Sequence, residues 1–192
     1  MTTLKRLAVY CGSAPGTDPA FAEAARQTGE AMAARGIDLV YGGGRLGLMG
    51  IVADAVIAGG GRSYGVIPEA LIELEVAHSG LTELHTVAGM HERKAMMTEL
   101  ADGFLVLPGG IGTLDELFEA WSWNALGYHA KPLCLVDVGR FWTKLTDFLD
   151  HASASGFLSV ARRAQLLVAG TAEEAIEKLD EAARTASQAM VW

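Results

Sequence analysis

Apolar runs of four to six residues alternate along this chain with longer stretches in which apolar positions recur at helical spacing. That alternation is the signature of a parallel sheet with helices packed on both faces. The runs predict strands at 7–11, 37–41, 64–67, 104–107, 133–137 and 166–169, with a weaker seventh at 84–87. The periodic stretches predict helices at about 19–35, 48–58, 91–101, 114–126, 141–154 and 172–186. Local punctuation agrees. Asp18 before Pro19 reads as an N-cap followed by proline at the first helical position, and Gly36 reads as the end of that helix. Thr171-Ala172-Glu173-Glu174 reads as a capping box. No repeat or Pro/Ser-rich linker divides the chain, so residues 1–192 are expected to form one α/β domain, a doubly wound parallel sheet. The most irregular stretch, 69–80, has the length of a functional loop.

Composition narrows the partners. The formal net charge of −8 opposes a nucleic-acid backbone, and no basic cluster offsets it, so nucleic acid is excluded as an expected partner. No apolar run approaches the ~20 residues that cross a bilayer, so no membrane partner is expected. The first six residues lead directly into a strand-like run without the pattern of a secretory signal, and Cys11 and Cys134 each sit inside an apolar run. Two core thiols in a reducing, cytoplasmic setting are the expectation. A small anion is still admissible, because a few backbone N–H groups bind one phosphate whatever the net charge.

Ligands of open parallel sheets bind beyond the carboxyl ends of the strands, and here those positions are rich in glycine. The first strand runs into Cys11-Gly12-Ser13-Ala14-Pro15-Gly16, the second into Gly42-Gly43-Gly44-Arg45-Leu46-Gly47, and the strand at 104–107 into Pro108-Gly109-Gly110-Ile111-Gly112-Thr113. Glycine allows close approach of backbone to ligand, and N–H groups at a following helix start attract an anion. Tight strand-to-helix turns alone would explain any one of these loops, but three on one edge predict a shared pocket. Gly42 to Gly47 also fits GxGxxG, with Glu69 at the distance of a ribose-binding acid, which raises a dinucleotide as an alternative ligand. The match follows the second strand instead of the first, which weakens that alternative. No GxxxxGK[ST] is present.

The last glycine loop continues as Pro108-Gly109-Gly110-Ile111-Gly112-Thr113-Leu114-Asp115-Glu116, or PGGxGTxxE, and Met90-His91-Glu92-Arg93-Lys94 stands shortly before it. This pair, with Gly42-Gly43-Gly44, Val66-Ile67-Pro68 and Lys131-Pro132, resembles the LONELY GUY family of cytokinin riboside 5′-monophosphate phosphoribohydrolases, often labelled lysine decarboxylases. The resemblance runs from the first strand to about Asp137. It implies a Rossmann-like subunit in a homodimer or larger assembly, with the site near the subunit interface. It implies a nucleoside 5′-monophosphate substrate of adenosine type, released as free base and ribose 5-phosphate; the hydrolysis as read from the residues requires no metal, and no cofactor is expected. By motif position the catalytic pair falls on Arg93 and Glu116. Substrate contacts fall on Ser13, Gly43, Glu75, Met90, Lys94, Gly109, Gly110, Ile111, Gly112, Thr113 and Ser122, in addition to the catalytic pair.

The same residues suit this chemistry on their own terms. Loss of a base from ribose passes through an oxocarbenium-like cation, which a carboxylate beside the anomeric carbon stabilises while it positions a water; Glu116 suits that role. Arg93 keeps its proton, so it is expected to hold a phosphate, a ribose or a carboxylate in place. The competing reading is that Thr113 to Glu116 is a second capping box like Thr171 to Glu174, and that Arg93 and Lys94 lie on a solvated helix face. The histidines, His91 included, lack metal spacing. A cofactor-dependent decarboxylase would need a Schiff-base lysine and a pyridinium partner, and neither is indicated. Trp121 and Trp123 are expected as core or interface anchors. Alternatives of other classes are a molybdenum-cofactor carrier or nucleotide sensor with the same architecture, and a nucleosidase of broad 5′-monophosphate specificity.

Overall fold

In the computed structural model, which describes residues 3–189, seven strands form one all-parallel sheet. They are β1 (Arg6–Tyr10), β2 (Asp38–Tyr41), β3 (Ser63–Pro68), β4 (Glu83–Val87), β5 (Gly103–Val106), β6 (Leu133–Val136) and β7 (Leu166–Ala169). Their order is β4-β3-β2-β1-β5-β6-β7, so the chain winds outward from β1 in one direction, then crosses back to lay β5 on its other side. Register confirms the crossover: Leu7 pairs with Leu39 on one flank and Gly103 on the other. The expected Rossmann-like sheet is therefore present, and its topological switch lies between β1 and β5.

Alternate residues of each strand feed two cores, because side chains on a strand point to opposite faces. Leu7, Val9, Leu39 and Leu105 pack with Met32 of α1 (Pro19–Ala34), Val52 of α2 (Gly47–Ala58) and Ile176 of α7 (Ala172–Ala189). Ala8, Tyr10, Val40, Phe104 and Val106 pack with Met97 of α3 (Met90–Leu100), Leu117 of α4 (Ile111–Ala125) and Leu149 of α5 (Thr143–Ala154). Asp18 caps α1 by accepting a 2.9 Å hydrogen bond from the Ala20 N–H, and Gly36, at φ +66°, closes it as expected. A short α6 (Val160–Gln165), capped by Ser159, lies in a stretch that the periodicity leaves blank. No helix among the described residues is long and apolar enough to cross a membrane.

Candidate active site

The three glycine loops meet at the switch. Gly12 N–H donates to Pro108 O at 3.0 Å, and Leu48 N–H donates to Gly12 O at 3.0 Å, so the loops after β1, β2 and β5 are hydrogen-bonded into one unit. Gly109 is required by this closeness: a Cβ there would stand 2.1 Å from Thr113 Oγ1 and 2.9 Å from the Gly12 nitrogen. In front of them opens a cleft of about 310 Å³, bordered by Ser13, Phe21, Gly110 and Phe141. The GxGxxG segment enters α2 from β2, one strand away from the switch, which is not where a dinucleotide pyrophosphate sits in this architecture.

Helix α4 starts at Ile111, three residues before the sequence expectation, with Gly110 as its N-cap and no side-chain cap. Two consequences follow. The N–H groups of Ile111, Gly112 and Thr113 belong to the first turn, which has no intrahelical acceptors, and Gly110, Ile111 and Gly112 are exposed there. Thr113 is then inside the helix and cannot act as its N-cap, so the second capping box does not form. The Thr171 box does form: Glu174 N–H donates to Thr171 Oγ1 at 3.2 Å, and Gly170 N–H donates to the Glu174 carboxylate at 2.7 Å. The Glu116 carboxyl, in the same sequence spacing, is left with no hydrogen bond among the described residues.

Arg93 is 4% exposed, and its guanidinium is the junction of the site instead of a member of a solvated face. Its Nε–H donates to Val66 O at 3.1 Å and an Nη2–H to Gly42 O at 2.8 Å, at the ends of β3 and β2. Its outer edge grips Glu75 bidentately, at 2.8 and 3.3 Å. Such a fork onto a carboxylate is the strong form of an ion pair, and burial on the arginine side limits screening. The Met90 sulfur lies 3.8 Å from Nη1. Of the three roles open to Arg93, the structure displays the third, holding a carboxylate.

Lys94 is also buried, at 6% exposure, and its ammonium bridges Asp115 at 3.0 Å and Glu119 at 2.7 Å. It thus ties α3 to α4 on either side of Glu116. The Glu116 carboxyl is half-buried within electrostatic reach of both groups. Burial pushes its pKa up from 4.5 to about 7; Arg93 and Lys94 pull it down, and Glu75 and Asp115 push it up. Desolvation dominates, so this carboxyl titrates near neutrality.

Other expected contacts fall around this group. Gly43, at φ +77°, is buried and accepts from the His78 N–H at 2.9 Å. Ser13, Gly110 and Gly112 are exposed at the mouth, Met90 and Ile111 are 39% and 86% exposed, and Thr113 is buried behind Gly109. Ser122 stands apart: it is exposed on α4, six residues and about 9 Å beyond Glu116, on another face of the helix. His91 is exposed. Trp121 is buried and stacks on Phe118. Among the described residues no three His, Cys, Asp or Glu side chains converge as a metal site.

Residues 49–179 match the family model described as possible lysine decarboxylase. A cytokinin riboside 5′-monophosphate phosphoribohydrolase of Oryza sativa subsp. japonica is 45% identical over 98% of this chain and 78% of its own length. One of Rhodococcoides fascians is 44% identical over 91% of this chain and 88% of that protein. The chain belongs to the LONELY GUY family. Among solved structures, the molybdenum cofactor carrier protein of Chlamydomonas reinhardtii superposes with TM-score 0.71 at 18% identity, covering 92% of this chain and 96% of that one. At that identity the likeness speaks for the shared fold, while membership in the LONELY GUY family rests on the sequence matches. The family model's decarboxylase description finds no counterpart in the site, where the buried Lys94 is committed to two carboxylates.

Proposed function

We propose that this protein hydrolyses the N-glycosidic bond of N6-substituted adenosine 5′-monophosphates, the cytokinin nucleotides, and of AMP, releasing free base and ribose 5-phosphate. The observation that carries the proposal is the juxtaposition of a near-neutral carboxyl, Glu116, with the Arg93–Glu75 pair, on the helix whose first-turn N–H groups are free. The 5′-phosphate would lie on the N–H groups of Ile111, Gly112 and Thr113, with Ser13 across the cleft. That placement directs the ribose towards Glu116. The ionised carboxylate stabilises the oxocarbenium-like transition state. The bond electrons leave with the base, which takes up a proton, while the attacking water gives one up to Glu116 as it bonds the anomeric carbon. Arg93 fixes the Glu75 carboxylate and, through its charge, favours the ionised form of Glu116.

The exposed apolar end of α4, with Leu126 at 72% and Tyr128 at 76% exposure, supports a homodimer through that end. Two buried free thiols fit a cytoplasmic protein. The test is to incubate purified protein with N6-isopentenyl-AMP or AMP and quantify base and ribose 5-phosphate by chromatography. Release should fall by about 10²- to 10³-fold in folded Glu116→Gln. Nucleotide binding without release by the wild type would overturn the reading in favour of a carrier or sensor.

A further inference from the structure

We propose that His78, paired with Asp54, is a positioning residue that latches residues 69–80 so that Glu75 meets Arg93; the inference rests on the hydrolase reading above. Of residues 69–80, only His78 is buried, at 7% exposure. Its neighbours Leu74, Glu75 and Val76 lie in a thin segment with little core of its own, Leu74 being 71% exposed. The imidazole is held on both sides. Gly80 N–H donates to Nδ1 at 3.0 Å, which leaves the ring proton on Nε2, and Nε2 stands 3.0 Å from Asp54 Oδ1 on α2. The His78 main chain adds a third tie, its N–H donating to Gly43 O at 2.9 Å.

The latch has something to restrain. Val76 has φ +50°, in the left-handed region that a β-branched residue occupies only under constraint. It ends a helical turn in which Glu75 N–H donates to Leu71 O at 2.8 Å and Ala77 N–H to Ile72 O at 3.0 Å, the place where helices ordinarily use glycine. Arg45 N–H donates to Val76 O at 2.9 Å, and Gly44 bridges Ala77. This reversal at Val76 turns the Glu75 side chain inward to the guanidinium. His78 sits two residues beyond the strained position and is the one side chain of the segment sunk into the protein, so it holds the reversal in place. Tyr41, whose hydroxyl is buried without a hydrogen-bond partner among the described residues, lies in the electrostatic range of both Asp54 and Glu75.

The decisive experiment combines hydrogen exchange with a double-mutant cycle. In His78→Ala, amide exchange of the 69–80 peptide should rise sharply while the strands keep wild-type protection, and kcat/KM for AMP hydrolysis should fall by about 10- to 100-fold. Because His78 acts through Glu75, adding His78→Ala to Glu75→Ala should cost less than about twofold more. His78→Asn, whose Oδ1 can still accept from Gly80, should recover much of the rate, and it serves in the cycle should the alanine variant fail to fold. Unchanged exchange in 69–80, or losses that multiply in the double variant, would overturn the latch. A wild type that hydrolyses nothing would instead sink the hydrolase reading, and the exchange measurement would still decide whether His78 latches the loop.

Discussion

At the scale of single residues, the titration of Glu116 sets a sign that can be checked. The proposed mechanism needs its ionised form, and its carboxyl titrates at about 7, so log kcat/KM should climb through an acid limb near pH 7 and level off above it. Stability runs the other way. The folded value lies above the ordinary 4.5, so the contribution of Glu116 to stability is fully present below pH 4.5 and is lost as pH rises through 7. Glu116→Gln should therefore be more stable than wild type at pH 8, by roughly 1–3 kcal/mol, with the difference vanishing near pH 4; urea unfolding at the two pH values checks it. The residue types were legible in the sequence, but their couplings were not. Arg93 and Glu75 could be named from motif position, whereas their bidentate grip depends on a left-handed turn at Val76 that no local pattern announces. His78 and Asp54 lie 24 residues apart and follow no ligand spacing, so sequence reasoning could single out only the irregular stretch around His78.

At the scale of elements, α3 and α4 face each other across Lys94, and the charge it carries serves both. Replacing it with methionine leaves Asp115 and Glu119 without their cation and should destabilise the fold by about 1–3 kcal/mol, read from urea unfolding. The same change removes a cation that lowers the Glu116 pKa, so the acid limb of the rate profile should move to higher pH. A Lys94 on a solvated face would produce neither effect. Strands and long helices were readable because both faces of the sheet are covered, which makes strands continuous apolar runs. The start of α4 was not, because Gly110, Ile111 and Gly112 carry no amphipathic period and the N-cap is a glycine. Helix α6 escaped for another reason: its six residues, with Arg162 and Arg163 both half-buried, are too few to show a period, and Ser159 was its one signal.

At the scale of the molecule, Leu126 and Tyr128 are exposed just beyond the end of α4, and Tyr128 lines a hollow of about 520 Å³ together with Trp123, His129 and Lys131. Sedimentation should give twice the 20.2 kDa chain mass, and Leu126→Glu should shift the protein towards single chains. The sheet order also decides who supplies what: Glu75 and Arg93 come from the β3–β4 flank, and Glu116 from the β5 flank, so the proposed reaction centre straddles the switch. The phosphate grip proposed on the first turn of α4 is of a different kind, since it is made of peptide N–H groups alone. Ordinary side-chain replacement cannot delete such a grip; a proline within the turn, or a Cβ at Gly109, could. Divergence is therefore free to rewrite a side chain such as that of Ile111, 86% exposed, without touching that grip. A 5′-phosphate grip of this kind would persist through such drift, as an inherited property of the main chain.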